Sequence, residues 1–91
     1  MTESALERLF VREARRKGFM VLKLNVRGQR GWPDRLLVGR GGVRFVELKR
    51  PGAPISAPQL RVMRGLSQRG VEVVIVRSER DFPMAFAPVV R

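Results

Sequence analysis

The chain has 91 residues, 44% of them hydrophobic, with nineteen Lys and Arg against eight Asp and Glu for a formal charge of +11. That length suits one domain spanning residues 1–91, the hydrophobic content is too high for a disordered basic tail, and the charge draws the chain to polyanions such as nucleic acid. With no Cys, His or Tyr, disulfides, thiolate or His-based nucleophilic catalysis, a structural zinc site and a tyrosyl ester are excluded, so any enzyme here must work with carboxylates, Lys, Arg and a hard metal ion.

Residues 4–17 read as a helix. Leu6, Leu9, Phe10 and Ala14 form an apolar stripe at helical spacing, and Ser4 with Glu7 has the pattern of a capping box. Gly18 supplies the stop, and Arg8, Arg12, Arg15, Arg16 and Lys17 make the rest of the surface cationic. A strand follows over Phe19–Asn25, then a basic loop, Arg27-Gly28-Gln29-Arg30-Gly31-Trp32-Pro33. Asp34–Val38 and Val43–Lys49 read as two strands joined by the turn Gly39-Arg40-Gly41-Gly42, hence a hairpin.

Pro51, Gly52 and Pro54 mark a loop. Ser56 opens a second helix with Pro58 in its first turn and Gln59 three residues after the cap, and Gly70 closes it. Met63 and Phe82 read as core. Val71–Val76 is a nearly all-apolar strand, the composition of one covered on both faces. Beyond Ser78 the chain is irregular, with Asp81 placed to start a short terminal helix. The order α-β-β-β-α-β predicts an α/β fold, a mixed sheet flanked by helices. No apolar run approaches the ~20 residues of a membrane span, and the charged start Met1-Thr2-Glu3-Ser4 is unlike a signal peptide, so a cytoplasmic location is expected.

Strand three carries the chemistry. Side chains alternate along a strand, so Glu47 and Lys49 point the same way, about 6.5–7 Å apart, while Val46 and Leu48 point to the core. If strands two and three pair, Asp34 lies opposite their end of the hairpin. Two carboxylates and an ammonium then share one patch, a set suited to a Mg²⁺ ion that keeps several waters and takes substrate phosphate as a further ligand. The competing reading is ordinary ion pairing, Glu47 with Lys49 or Asp34 with Arg35. What weighs against it is the ordered pair on adjoining strands after a basic Gly-rich loop, in a chain with so few acids.

Gly31-Trp32-Pro33-Asp34, then Phe45-Val46-Glu47-Leu48-Lys49, then Ser56 and Gln59 resemble the PD-(D/E)XK nuclease superfamily, and within it the stand-alone, virus-type VRR-NUC branch. The likeness runs from the first helix through the fourth strand. It implies a restriction-endonuclease-like core and Mg²⁺ (or Mn²⁺) bound by Asp34, Glu47 and the Leu48 backbone carbonyl, with Lys49 positioning or activating water. It also implies an acid from the first helix. Glu7 is the choice, against capping with Ser4, and Glu3 is its competitor one turn earlier. Gln59 matches the family's second-helix glutamine, against capping with Ser56. Around this centre Arg27, Arg30, Arg35 and Lys23 are candidates to grip phosphate, against a solvated basic loop, and Trp32 either stacks on a base or lids the core. The implied activity is a phage-type endodeoxyribonuclease of repair or replication, selective for branched DNA such as a Holliday junction. Two symmetric cuts would need a homodimer, for which the apolar tail Phe82–Phe86 is the candidate patch. Two alternatives stand beside it: a non-catalytic nucleic-acid-binding module, and an adaptor subunit acting with a helicase or polymerase.

Overall fold

A computed structural model describes residues 1–88. Helix α1 (Glu3–Arg16) leads into strand β1 (Met20–Lys23), followed by β2 (Arg35–Gly39), β3 (Gly42–Leu48), helix α2 (Ala57–Gln68), strand β4 (Val73–Val76), a single 3₁₀ turn (Glu79–Asp81) and the short helix α3 (Phe82–Phe86). The four strands form one sheet in the order β1-β2-β3-β4. The first three are antiparallel neighbours, and β4 runs parallel to β3. A parallel pair needs a crossover of a dozen or more residues, and α2 provides it. The expected mixed α/β sheet with flanking helices is therefore what forms.

The start of α1 differs from expectation. Thr2, not Ser4, caps it: the Ala5 N–H donates to Thr2 Oγ1 at 3.1 Å. The Ser4–Glu7 capping box does not form, which frees Glu7 for a tertiary partner. The second helix follows its sequence signals closely. Ser56 Oγ accepts from the Gln59 N–H, and Gln59 Oε1 accepts from the Ser56 N–H, a complete capping box with proline in the first turn.

The core lies on one face of the sheet. Leu6, Phe10 and Ala14 of α1 pack with Phe82 and Ala85 of α3 against Leu37, Val46, Leu48, Val74 and Val76. Phe10 meets Phe82 edge-on and stacks on Phe86, each at 5.3 Å between ring centres. The tail is thus largely part of this molecule's own core: Phe82 and Ala85 are buried, Phe86 packs on Phe10 and Phe19, and Pro83 and Met84 are the exposed side chains of α3. The tail patch proposed for a dimer is committed inside the fold. Met63 is half-buried rather than in the core, because α2 covers its sheet face more thinly and buries no side chain fully. For the same reason β4 is only half covered there: Val74 and Val76 are buried toward α1 and α3, whereas Val73 and Ile75 remain partly exposed.

Candidate active site

The hairpin register puts Arg35 opposite Val46, so Asp34, one residue before, stands level with Glu47. Proline places it there. Pro33 is fully buried and ends the basic loop, and Asp34 then enters the sheet with its backbone carbonyl accepting from the Leu24 N–H at 2.9 Å. Its carboxylate Oδ2 accepts the Leu48 N–H at 3.0 Å, which ties it to the end of β3 beside Glu47. Alternation along β3 behaves as predicted. Val46 and Leu48 enter the core, while Glu47 and Lys49 share the opposite face with α2.

Glu47 is 6% exposed. Its Oε2 accepts from Gln59 Nε2 at 3.1 Å. The two readings of Gln59 therefore coexist: its carbonyl oxygen closes the helix cap while its amide nitrogen reaches the acid. Burial pushes the Glu47 carboxyl up to about 7, with the Asp34 charge as the next cause; Lys49 and the Asp34 amide offset this in part, and Glu3 adds a little to it. Lys49 Nζ donates to the Pro54 carbonyl at 3.0 Å, so the loop before α2 aims the ammonium.

Gly31 holds the loop against α2. It adopts φ +90°, and a Cβ there would come within 2.3 Å of the Pro58 carbonyl oxygen. Only glycine allows this approach, and through it the Asp34 loop and the Gln59 helix form one unit. Next to it Trp32 is half-buried against Phe45, 6.1 Å between centres, with its indole N–H donating to Gln29 at 2.8 Å. That is a lid over the thin side of the sheet, not a free stacking platform.

The predicted residues divide into those that converge and those that do not. Asp34, Glu47, Lys49 and Gln59 come together, with the Leu48 backbone between them. Glu7 does not join them: its carboxylate pairs with Arg35, which follows Asp34 on β2 and so points to the other face of the sheet. Glu3 is the α1 acid whose charge bears on Glu47. Among the described residues no three acidic side chains gather closely enough to hold a metal ion. Arg27 and Arg30 are exposed on the loop before the motif. Arg35 is mostly buried and already paired, and Lys23, its neighbour across β1 and β2, is exposed. Sequence reasoning missed Arg44. This residue is buried on the core face of β3, where it donates to Glu72 and to the carbonyls of Ala85 (2.7 Å) and Ala87 (2.6 Å). An arginine at a core-facing strand position between Leu37 and Val46 was the signal that could have found it.

Comparison with known proteins gives a consistent result. No protein-family profile matches the sequence. The chain is 36% identical over 78 residues to "Putative nuclease p44" of Acyrthosiphon pisum secondary endosymbiont phage 1, covering 85% of this chain and 84% of that protein. Among solved structures, one described as a VRR_NUC domain superposes with a TM-score of 0.83 at 27% identity over 90% of both chains. A second, described as a VRR_NUC domain protein, superposes with a TM-score of 0.77 at 16% identity, over 93% of this chain and 84% of that one, and attests the fold.

Proposed function

The chain belongs to the VRR-NUC family of nucleases, and from that premise we propose that it is a divalent-metal-dependent DNA endonuclease centred on Asp34, Glu47 and Lys49. The observation that carries this reading is the placement of the two carboxylates level with each other on adjoining strands, at the end of β3, with a lysine on the same face. Burial of Glu47 and repulsion from Asp34 push its carboxyl up to about 7, a cost that a divalent cation would relieve. The donor set fits Mg²⁺ or Mn²⁺: two carboxylates and the Leu48 carbonyl, the remaining ligands being water and phosphate, suit a hard ion that dehydrates reluctantly.

A bound divalent cation would supply Lewis acidity and neutralise charge at the scissile phosphate. The protein's own groups do the rest. Gln59 and the Leu48 N–H hold the two carboxylates in place. Lys49, aimed by Pro54, presents a cation beside the attacked phosphate and orients the attacking water. Arg27 and Arg30 line the approach as phosphate contacts that position the duplex without reading its sequence. Glu3 is the α1 acid that acts at long range on this centre, while Glu7 orients Arg35.

Branched DNA, with a four-way junction as the type substrate, is the proposed specificity. Paired cuts in a junction require two centres, hence a two-fold homodimer; docking to a helicase or other replication protein is compatible with the same single-site chain. The test is cleavage of a labelled four-way junction and a linear duplex in Mg²⁺ or Mn²⁺, repeated with EDTA and with Asp34→Ala and Glu47→Ala. Cleavage abolished by each of these, with binding retained, is the expected result. Binding without cleavage by the wild-type protein in either metal would reduce the chain to a binding module. Gel filtration under the same conditions reports the dimer.

A further inference from the structure

A groove of about 720 Å³ runs between α1 and the edge strand β1. Its walls carry Arg8, Arg12, Arg15, Lys23 and Arg35 against a single carboxylate, Glu7. Glu7 is already neutralised by its ion pair with Arg35, so the groove presents almost undiluted positive charge. The three α1 arginines are exposed and follow the i, i+4, i+7 spacing of one helix face. They cover about 10 Å along the axis, the length of about three phosphates on one strand of a duplex. Arg35 lines the groove floor, and its buried Nε–H has no acceptor among the described residues. The position of the groove ties it to the candidate site. Arg35 follows Asp34 in the chain, Lys23 lies across from it, and the Leu24 N–H is bonded to the Asp34 carbonyl. One end of the groove therefore lies at the strand end that carries the acids, on the α1 face of the sheet and across it from them, and the other leads away along the helix.

Building on the nuclease reading, we propose that this α1–β1 groove is a second DNA-binding surface. It holds the phosphate backbone of a duplex arm that extends from the cut site, with Arg8, Arg12 and Arg15 as the contacting residues. Glu7 is a positioning residue that sets the Arg35 guanidinium at the groove floor. The surface lies off the loop of Arg27 and Arg30, so the two grip different stretches of DNA.

The experiment measures binding of a labelled duplex of mixed sequence in EDTA, by fluorescence anisotropy across a salt series. It compares the wild type with Arg8→Gln/Arg12→Gln/Arg15→Gln and with a control of equal charge loss at exposed arginines outside the groove, Arg64→Gln/Arg69→Gln/Arg80→Gln. The groove variant should lower the slope of log affinity against log salt by about 0.9 for each phosphate that is no longer neutralised, so about 2.7 in all. The control should change it far less, and Arg8→Lys/Arg12→Lys/Arg15→Lys should keep most of the slope. In cleavage assays with Mg²⁺ the groove variant should raise KM and leave kcat within about twofold. Equal loss of slope in the groove and control variants would overturn the proposal, because the arginines would then act only through net charge. An unchanged slope with normal cleavage would overturn it while leaving the nuclease reading intact. A reduced slope from a protein that cuts nothing would keep the groove and sink the nuclease.

Discussion

Glu47 combines near-complete burial, a facing carboxylate and a titration pushed up to about 7. Between the ordinary glutamate value of 4.5 and about 7, the native protein holds a proton that the unfolded chain has lost. Stability without metal therefore falls as pH rises through that window, and the deficit is complete above about 7. Glu47→Gln removes the charge but keeps an oxygen for Gln59 to donate to. It should stabilise the metal-free protein at pH 8 by up to about 3 kcal/mol, with the gain shrinking toward zero as pH drops to about 4.5, while cleavage is lost. Denaturant unfolding at the two pH values checks this, and equal stabilisation at both would refute it. Metal affinity should weaken as pH falls below about 7, because the ion must then displace a proton. The two α1 acids separate by the same logic. Glu3→Gln should shift the pH dependence of metal binding, because Glu3 acts on Glu47. Glu7→Gln should leave metal binding alone and instead weaken DNA binding by releasing Arg35. Metal titration of both variants decides the point, and a larger metal defect in Glu7→Gln would reverse the assignment.

At the level of elements, the site is a junction of three pieces: the loop 27–33, the end of the β2–β3 hairpin, and the first turn of α2. Gly31 is where loop and helix touch. Gly31→Ala must both leave a left-handed backbone and displace the Pro58 carbonyl, so it should cost about 2–4 kcal/mol of stability. The activity loss should exceed what unfolding explains, because Gln59 follows Pro58 in the same turn. Comparing residual activity with the folded fraction at one temperature reads this directly; activity that tracks the folded fraction would mean that the glycine serves stability alone. The capping box of α2 adds to the same precision, since one glutamine side chain both ends the helix cap and holds Glu47.

Across the described residues, the core sits almost entirely on the α1–α3 side of the sheet, and α3 belongs to it. Arg44 is the link. Its guanidinium, 3% exposed, gathers the carbonyls at the end of α3 and the Glu72 carboxylate. Arg44→Met keeps the aliphatic volume but leaves those carbonyls without a donor, so it should cost about 2 kcal/mol or more and lower Tm by on the order of 10 °C. Thermal unfolding followed by circular dichroism measures it, and a Tm within about 2 °C of wild type would mean that water replaces the arginine. The excess of positive charge serves a different end. It is spread over exposed arginines of α1, the loop before Asp34 and α2, among them Arg8, Arg12, Arg27, Arg30, Arg61 and Arg64, where it adds little to folding and much to attraction for a polyanion.

The order of elements, the hairpin, the α2 cap and the grouping of Asp34, Glu47 and Lys49 were legible from residues alone. Each rests on local rules: alternation along a strand, capping chemistry, glycine at turns, and neighbours close in sequence. Three things depended on distant parts of the chain. Glu7 satisfied a local capping pattern, yet an arginine 28 residues away claimed it once Thr2 took the cap. The tail Phe82–Phe86 offered two readings, core at Phe82 and an apolar patch for a dimer, and packing of Phe10 on Phe82 and Phe86 decided for the core. Arg44 lies in β3 as its strand pattern implies, but its burial follows from the end of α3 lying beside it. In each case the side chain's partner lay far along the chain, and the choice among partners was made by packing and desolvation, which operate only after the strands and helices have met.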